Sequence, residues 1–532
     1  MSHCMGCRAI TVASCTKLKF IMMKKLLTAL FACALMLPAS AQILRTTVAQ
    51  GEIEGELYQG YALYRAIPYA EPPVGNLRWK APVPKAPWQG VYKAEKWGDR
   101  PWQPGPQNPA GGNNMSEDCL YLSVETPAKS TDERLPVFVN IHGGGFSTGS
   151  YMGTQENFCA EGIVYVSIEY RLGPLGFMAH PELSKESPDG ISGNYGIYDQ
   201  ICALRWIHDN IAAFGGDPEK VTICGESAGG ISVSILCASP LCKGLFRAAI
   251  SESGGSFNPP CEAQGMATST TPYKIAEKTG LDYQKTLDVK NLKQLRKVDA
   301  AKLIEYGSKN PQLRFWPVVD GIAITGDQYK LYEQGTYNDV DVMVGYNSDE
   351  GSLFVRQMTL DDYRNMVRKN YGDWADKCFE AYPATNDQEA LYAVQDIFRD
   401  SAFGWGSWTW CNLQSTTGKK NVYMYYFDQV SENSMMKNTR GATHVAEMPF
   451  IYGWSWMGKM NDVDTHISQI MFRYWVNFIK NGNPNADALP YWPNYNRDKD
   501  TVMKVHNGFY LIGTPNKPQM DFFDAYFRSQ RH

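Results

Sequence analysis

Short, unbroken apolar runs recur along the chain and alternate with stretches of helical spacing. Residues 136–141 and 162–168 are continuous, β-branched and bounded by turn residues, which predicts strands buried on both faces. Residues 221–224, 247–251, 340–345 and 422–427 repeat the pattern. Ile197, Ile201, Leu204, Ile207 and Ile211 fall three or four residues apart. Residues 196–213 therefore read as a helix, closed by Gly215, Gly216, Asp217 and Pro218. Residues 231–236 predict another helix after the strand at 221–224. Doubly buried strands joined through helices imply a mostly parallel sheet with helices on both faces, an α/β fold.

Around that centre the pattern changes. Residues 42–125 read as short strands with turns at Pro68, Pro72, Pro73, Pro82, Pro84 and Pro87. The polar, helix-prone stretch 272–310 suits a helical insertion over an edge of the sheet. A terminal helix over 464–480 stops at Asn481-Gly482-Asn483-Pro484. No repeat or low-complexity linker divides the chain, so 42–532 reads as one domain.

Of the 532 residues 44% are hydrophobic, enough for a packed core. The formal net charge is −4 and no Lys/Arg block interrupts it, which excludes a nucleic-acid footprint. At the N-terminus, Lys24 and Lys25 precede an apolar run over 26–37 and then Pro38-Ala39-Ser40-Ala41. That is the layout of a secretory signal peptide, and the run is too short to span a bilayer. Translation is then expected to start at Met22 or Met23, with residues 1–21 an upstream extension outside the fold. A lipoprotein box at Leu30-Phe31-Ala32-Cys33 fits less well, because Phe31 is bulky and the apolar run continues past Cys33. The mature chain is expected in the periplasm or outside the cell, without a membrane span. Cys4, Cys7, Cys15 and Cys33 fall in the expected leader, which leaves nine of 13 cysteines. None of those nine forms a C-x-x-C pair, so a structural zinc site is not expected. Cys202, Cys224 and Cys237 lie in apolar stretches and read as small core residues.

The sharpest motif is Gly225-Glu226-Ser227-Ala228-Gly229, set between the strand at 221–224 and the helix that follows. In a strand-to-helix elbow the central residue takes a strained conformation and the flanking glycines remove side chains that would clash. The hydroxyl of Ser227 would then project from the carboxyl edge of the sheet. A serine needs a base to become a nucleophile, and its transition state needs donors for a developing oxyanion. His142-Gly143-Gly144-Gly145-Phe146 directly follows the strand at 136–141, and its peptide N–H groups, with that of Ala228, can supply those donors. Of the histidines well beyond Ser227, His532 is the last residue, His466 lies in an amphipathic helix and His506 follows a short strand-like stretch. His444 lies in a loop after the strand at 422–427, where a site at the carboxyl edge needs it. An orienting acid must fall between them. Asp349 and Glu350 both follow the strand at 340–345, and the residues alone do not choose between them.

The chain resembles the type-B carboxylesterase/cholinesterase family of α/β-hydrolases. The matching segments are 64–75 (YRAIPYAEPPVG), 116–122 (SEDCLYL), 142–146, 169–173 (EYRLG), 193–200 (GNYGIYDQ) and 225–230, in that order. The resemblance implies a triad of Ser227, Glu350 and His444, with Gly144, Gly145 and Ala228 as oxyanion donors. It implies supporting roles for Glu226, Ser253 and Glu447, and structural ion pairs of Arg65 with Glu117 and of Arg171 with Asp199. Relatives often bridge the cysteine matching Cys119 to one in the preceding loop, but here that loop reads Asp99-Arg100-Pro101-Trp102-Gln103 and offers no partner.

The expected reaction is hydrolysis of a small-molecule carboxylic ester by water through an acyl-serine, with no metal, organic cofactor or obligatory protein partner. A non-catalytic adhesion protein on the same scaffold is disfavoured, because serine, acid, base and glycine loop are all retained. Acyl transfer and peptide hydrolysis would use the same residues. Phe146, Phe315, Trp316, Trp405 and Trp408 read equally well as an acyl or aryl pocket and as core.

Overall fold

A computed structural model describes residues 42–106, 114–151, 153–261, 269–431, 439–454 and 458–531. The expected leader and His532 lie outside the described residues. Residues 43–532 cluster as one compact unit.

An 11-stranded sheet runs through this unit. Its strands, numbered along the chain, are β1 Glu56–Tyr58, β2 Tyr61–Pro68, β3 Tyr121–Thr126, β4 Leu135–Ile141, β5 Val164–Ile168 and β6 Gly216–Glu226, followed by β7 Ala248–Glu252, β8 Asp341–Asn347, β9 Val422–Phe427, β10 Val502–Val505 and β11 Phe509–Ile512. Their spatial order is β11-β10-β9-β8-β7-β6-β4-β5-β3-β2-β1. From β10 to β5 every neighbouring pair is parallel, and antiparallel strands flank both sides. This mixed sheet has helices on both sides, the α/β-hydrolase architecture.

The pleat sends alternate side chains of β4 to opposite faces. Val137, Val139 and Ile141 join one buried cluster with Ile197, Val233 and Trp410, while Phe138 joins another with Trp475 and Phe478. The first face is covered by helices α1 Tyr195–Asn210, α2 Ala228–Ala238, α6 Trp405–Thr417 and α8 Lys517–Ser529, the second by α7 Asp462–Asn481. Each fully buried aliphatic side chain stabilises the fold by about 1.5–3 kcal/mol relative to exposure.

The boundaries differ from expectation where punctuation misleads. β6 begins at Gly216, five residues before the apolar run, because Gly216 pairs with Leu135 and the register then shifts before Val221. The helix expected to be terminal is α7, opened by an Asn461/Asp464 capping box and closed at Gly482 with φ +70°, and β10, β11 and α8 follow it. The stretch 272–310 folds as α3 Tyr273–Thr286, the short helix Leu292–Leu295 and α4 Ala300–Lys309, with Tyr283, Leu295 and Leu303 packing on Leu175, Met178 and Tyr195. Two long helices missed by periodicity, α5 Asp387–Arg399 and α6, flank a π-helical segment, Asp400–Gly404.

One expected ion pair is wrong. Arg65 pairs with Glu56 on the adjacent strand, and Glu117 is taken by Arg78, whose Nε donates at 2.6 Å. Arg78 follows the turn Gly75–Leu77 and binds both oxygens of Glu117, while the Arg65 guanidinium is turned to Glu56 and to Glu95 O at 3.2 Å. Arg171 and Asp199 do pair, at 2.7 Å from Nε to Oδ2. All nine cysteines among the described residues are free; Cys119, Cys224 and Cys237 are buried, Cys202 is half-buried and Cys261 is exposed. No helix among the described residues is long and apolar enough to cross a membrane, and no described cluster of His, Cys, Asp or Glu could hold a metal ion.

Candidate active site

The parallel strands deliver the candidate residues to one edge. Ser227 follows β6, Ser253 follows β7, Glu350 lies just past β8 and His142 follows β4. The register fixes the alignment: Glu226 lies beside Glu252, which lies beside Gly345. One residue further, the Ser227 N–H donates to Glu252 O at 2.9 Å and the Ser253 N–H donates to Gly345 O at 2.8 Å.

Ser227 sits at φ +57°, ψ −122°, a strained conformation for a residue with a side chain. The elbow closes only because its neighbours are glycines. A Cβ on Gly225 would lie 2.4 Å from the Gly229 backbone, and one on Gly229 would lie 2.1 Å from Ile141 O. α2 begins at Ala228, so its N–H points out of the helix start. Among the described residues, the N–H groups of Ala228, Gly144 and Gly145 donate to no backbone carbonyl. The glycine loop abuts the elbow: a Cβ on Gly143 would sit 3.2 Å from Ser227 Cβ.

Glu350, fully buried, accepts from His444 Nδ1 at 2.5 Å on one oxygen. Its other oxygen accepts from Ser253 Oγ at 2.6 Å and from the Asn347 N–H at 2.7 Å. Asp349 turns away, accepting from the Arg440 N–H at 2.8 Å. Its backbone N–H donates to Ala442 O at 2.8 Å, so it anchors the loop that carries His444. Asn347, which the sequence reading overlooked, donates to Thr443 O at 2.8 Å and to the buried Glu447. It stands three residues before Glu350 at the end of a strand, a placement that could have flagged it.

On its other side, His444 Nε2 lies 3.1 Å from Glu226 Oε1, a charge contact outside hydrogen-bond alignment. No hydrogen bond joins His444 to Ser227 among the described residues. Burial pushes Glu226 up from the ordinary carboxylate range. Burial alone would lower His444, but Glu226 and Glu350 outweigh it and hold the imidazole up at about 9. The imidazole thus has a carboxyl group beside each of its nitrogens. Burial and the charge of Glu350 lift Glu447 to about 7.

Two aromatic rings grip the imidazole. Phe403, from the π-helical segment, stacks on it at 4.8 Å and 16°, and Phe354 meets it at 5.1 Å. Sequence periodicity gave no sign of Phe403. The aromatics expected at an entrance divide differently. Phe146 and Trp316 are buried and meet edge to face at 4.7 Å, next to the glycine loop. Trp405 is buried against Phe527 in the core, while Phe315 and Trp408 are half-buried. The remaining candidates stand apart: His466 is exposed on α7, and His506 is exposed in the turn between β10 and β11.

Residues 40–523 match the model of the carboxylesterase family. The chain belongs to that family. It is 33% identical over 491 residues to a fumonisin B1 esterase of Sphingopyxis macrogoltabida, covering 85% of this chain and 86% of that one. It is 32% identical over 479 residues to a para-nitrobenzyl esterase of Bacillus subtilis (strain 168), covering 85% and 92%. A solved structure titled PNB esterase superposes with a TM-score of 0.78 at 29% identity, covering 90% of this chain and 99% of that one. This carboxylesterase is a serine hydrolase of carboxylic esters.

Proposed function

We propose that this esterase cleaves small-molecule carboxylic esters through an acyl-enzyme on Ser227, with His444 as base and Glu350 as its orienting acid. What supports this most is the strained Ser227 at the same sheet edge as the 2.5 Å bond from His444 Nδ1 to Glu350. That bond leaves Nε2 as the nitrogen that takes the Ser227 proton and then delivers it to the departing alcohol. The N–H groups of Gly144, Gly145 and Ala228 hold the oxyanion, each worth about 3–4 kcal/mol to the transition state. Water, activated by the same imidazole, releases the acid. Ser253, Glu226 and Glu447 support the pair through Glu350, His444 and Asn347. The names of the fumonisin B1 and para-nitrobenzyl relatives point to bulky esters as substrates. The leader read at 24–41 implies that the esterase acts outside the cytoplasm.

An organophosphonate probe followed by mass spectrometry tests the assignment, beside a panel of p-nitrophenyl and carbohydrate esters. The adduct is expected on Ser227. Ser227→Ala should lose labelling and at least about 10⁴-fold in kcat, with Tm hardly moved. A label on another residue, or turnover surviving in the variant, removes Ser227 from the mechanism.

A further inference from the structure

The loop at 99–103, where a family disulfide has no partner, is tied to the site by different means. Gln103 is buried, and both ends of its carboxamide are engaged by one residue. Its Nε2 donates to Gly149 O at 2.7 Å, and its Oε1 accepts from the Gly149 N–H at 3.0 Å. The same Nε2 also donates to Pro101 O at 3.2 Å. A side chain thus imitates a strand partner for Gly149. The Gln103 end is itself held, because Arg100–Pro101 pairs with Met115–Ser116.

Gly149 is the far post of the glycine loop. It stands at φ +118°, and a Cβ there would lie 2.2 Å from His142 Nδ1 and 2.5 Å from Gly143 O. Between the posts, Gly144 O accepts from the Thr148 N–H and the Thr148 hydroxyl, both at 2.9 Å, and from the Ser147 N–H at 3.1 Å. A Cβ on Gly144 would lie 2.3 Å from Thr148 O. The turn is rigid within itself, so its placement depends on what holds its ends. His142 holds the first end, with the Tyr170 hydroxyl donating to its carbonyl at 2.8 Å.

We propose that Gln103 is a positioning residue for the oxyanion donors: by clamping Gly149 it sets where the N–H groups of Gly144 and Gly145 stand. This rests on the oxyanion role given to those groups above. Displacing a preorganised donor by a fraction of an ångström weakens the transition state more than the bound ester, so the loss falls on kcat.

The test compares wild type, Gln103→Glu and Gln103→Met in the full-length esterase. Ester turnover, Tm and the affinity of a trifluoromethyl ketone, which forms a tetrahedral adduct, are measured from pH 5 to pH 9. Burial raises the pKa of the carboxyl introduced by Gln103→Glu, and once the pH passes that value the group is ionised and cannot donate to Gly149 O. That variant should then lose roughly tenfold in kcat with KM within about twofold, and ketone affinity should fall in step. Lowering the pH protonates the carboxyl and restores the donor, so the ratio of variant to wild-type kcat should rise. Gln103→Met fills the same space without the bonds and should show the loss without the recovery. A ratio flat with pH, or ketone affinity unchanged in both variants, overturns the clamp. So does failure of both to fold, which would make Gln103 a scaffold residue. Organophosphonate labelling separates the two ideas: a wild type unlabelled at Ser227 sinks the triad reading, whereas labelled variants with unaltered ketone affinity sink only the clamp.

Discussion

The carboxylate of Glu350 turns inward, where three donors converge on it, and that of the preceding Asp349 turns outward onto Arg440. Adjacent side chains past a strand end point apart, so one faces the imidazole and the other faces the loop. Glu350→Gln keeps the size but places a neutral amide against Nδ1, which disfavours the imidazolium and the needed tautomer. Steady-state kinetics should show kcat lower by about 10²–10⁴-fold. Asp349→Asn still accepts from the Arg440 N–H and should keep kcat within about threefold while lowering Tm, since only its charge against Arg440 is lost. The opposite ranking would mean that Asp349 is the working acid. At this scale the sequence could name both acids and His444, because their spacing follows from strand ends. Residue types alone could not choose between the acids, because the choice depends on which way a turn rotates; the family resemblance was what pointed to Glu350.

Elements were legible where apolar periodicity was clean and obscure where tertiary contacts set the backbone. β9 falls at 422–427 as its composition implies, and β4 differs by one residue. The start of β6 was hidden because Gly215-Gly216-Asp217-Pro218 reads as a stop, while in the fold Gly216 pairs with β4. The π-helical Asp400–Gly404 has no signature in residue type at all. It is fixed from outside: Asp400 accepts from Arg399 Nε at 2.7 Å and from the Tyr382 hydroxyl at 2.9 Å, and Arg399 also donates to Ser348 O at 3.1 Å. This extra turn width brings Phe403 face to face with His444, and π-bulges commonly serve functional positions in this way. In the proposed mechanism a stacked ring favours the imidazolium formed as Ser227 gives up its proton. Phe403→Leu should therefore lower kcat roughly tenfold and move the acid limb of the rate profile to lower pH, because His444 loses a partner that stabilises its charged form. A limb that stays in place, with kcat lost only in proportion to Tm, would reduce Phe403 to packing.

Across the whole molecule, the sheet edge that gathers the site also buries acids without cations to match. Burial, helped by Glu447, lifts Glu252 to about 8. Glu252 accepts from Trp475 Nε1 at 2.8 Å on one oxygen, and its other oxygen has no hydrogen-bond partner among the described residues. Its backbone carbonyl accepts the Ser227 N–H, so the same residue carries both the elbow and the burial cost. An acid whose folded pKa lies above its unfolded value binds its proton more tightly when folded. The stability it supplies is complete below the unfolded value, near 4.3, and is lost as pH rises through about 8. His444, held up at about 9, acts in the same sense: its contribution is complete below about 6.5 and disappears as pH rises through its folded value. A neutral imidazole is what the proposed base needs, so activity rises with pH over the range in which these groups withdraw their support. Glu252→Gln separates the two trends, because the amide can still accept from Trp475 but does not titrate. Relative to wild type, its Tm should be nearly unchanged at pH 5 and higher by about 2–4 °C at pH 9, with the acid limb of the rate profile unmoved. An equal Tm difference at both pH values would mean that Glu252 keeps an ordinary pKa in the fold, and that the alkaline loss of stability arises elsewhere.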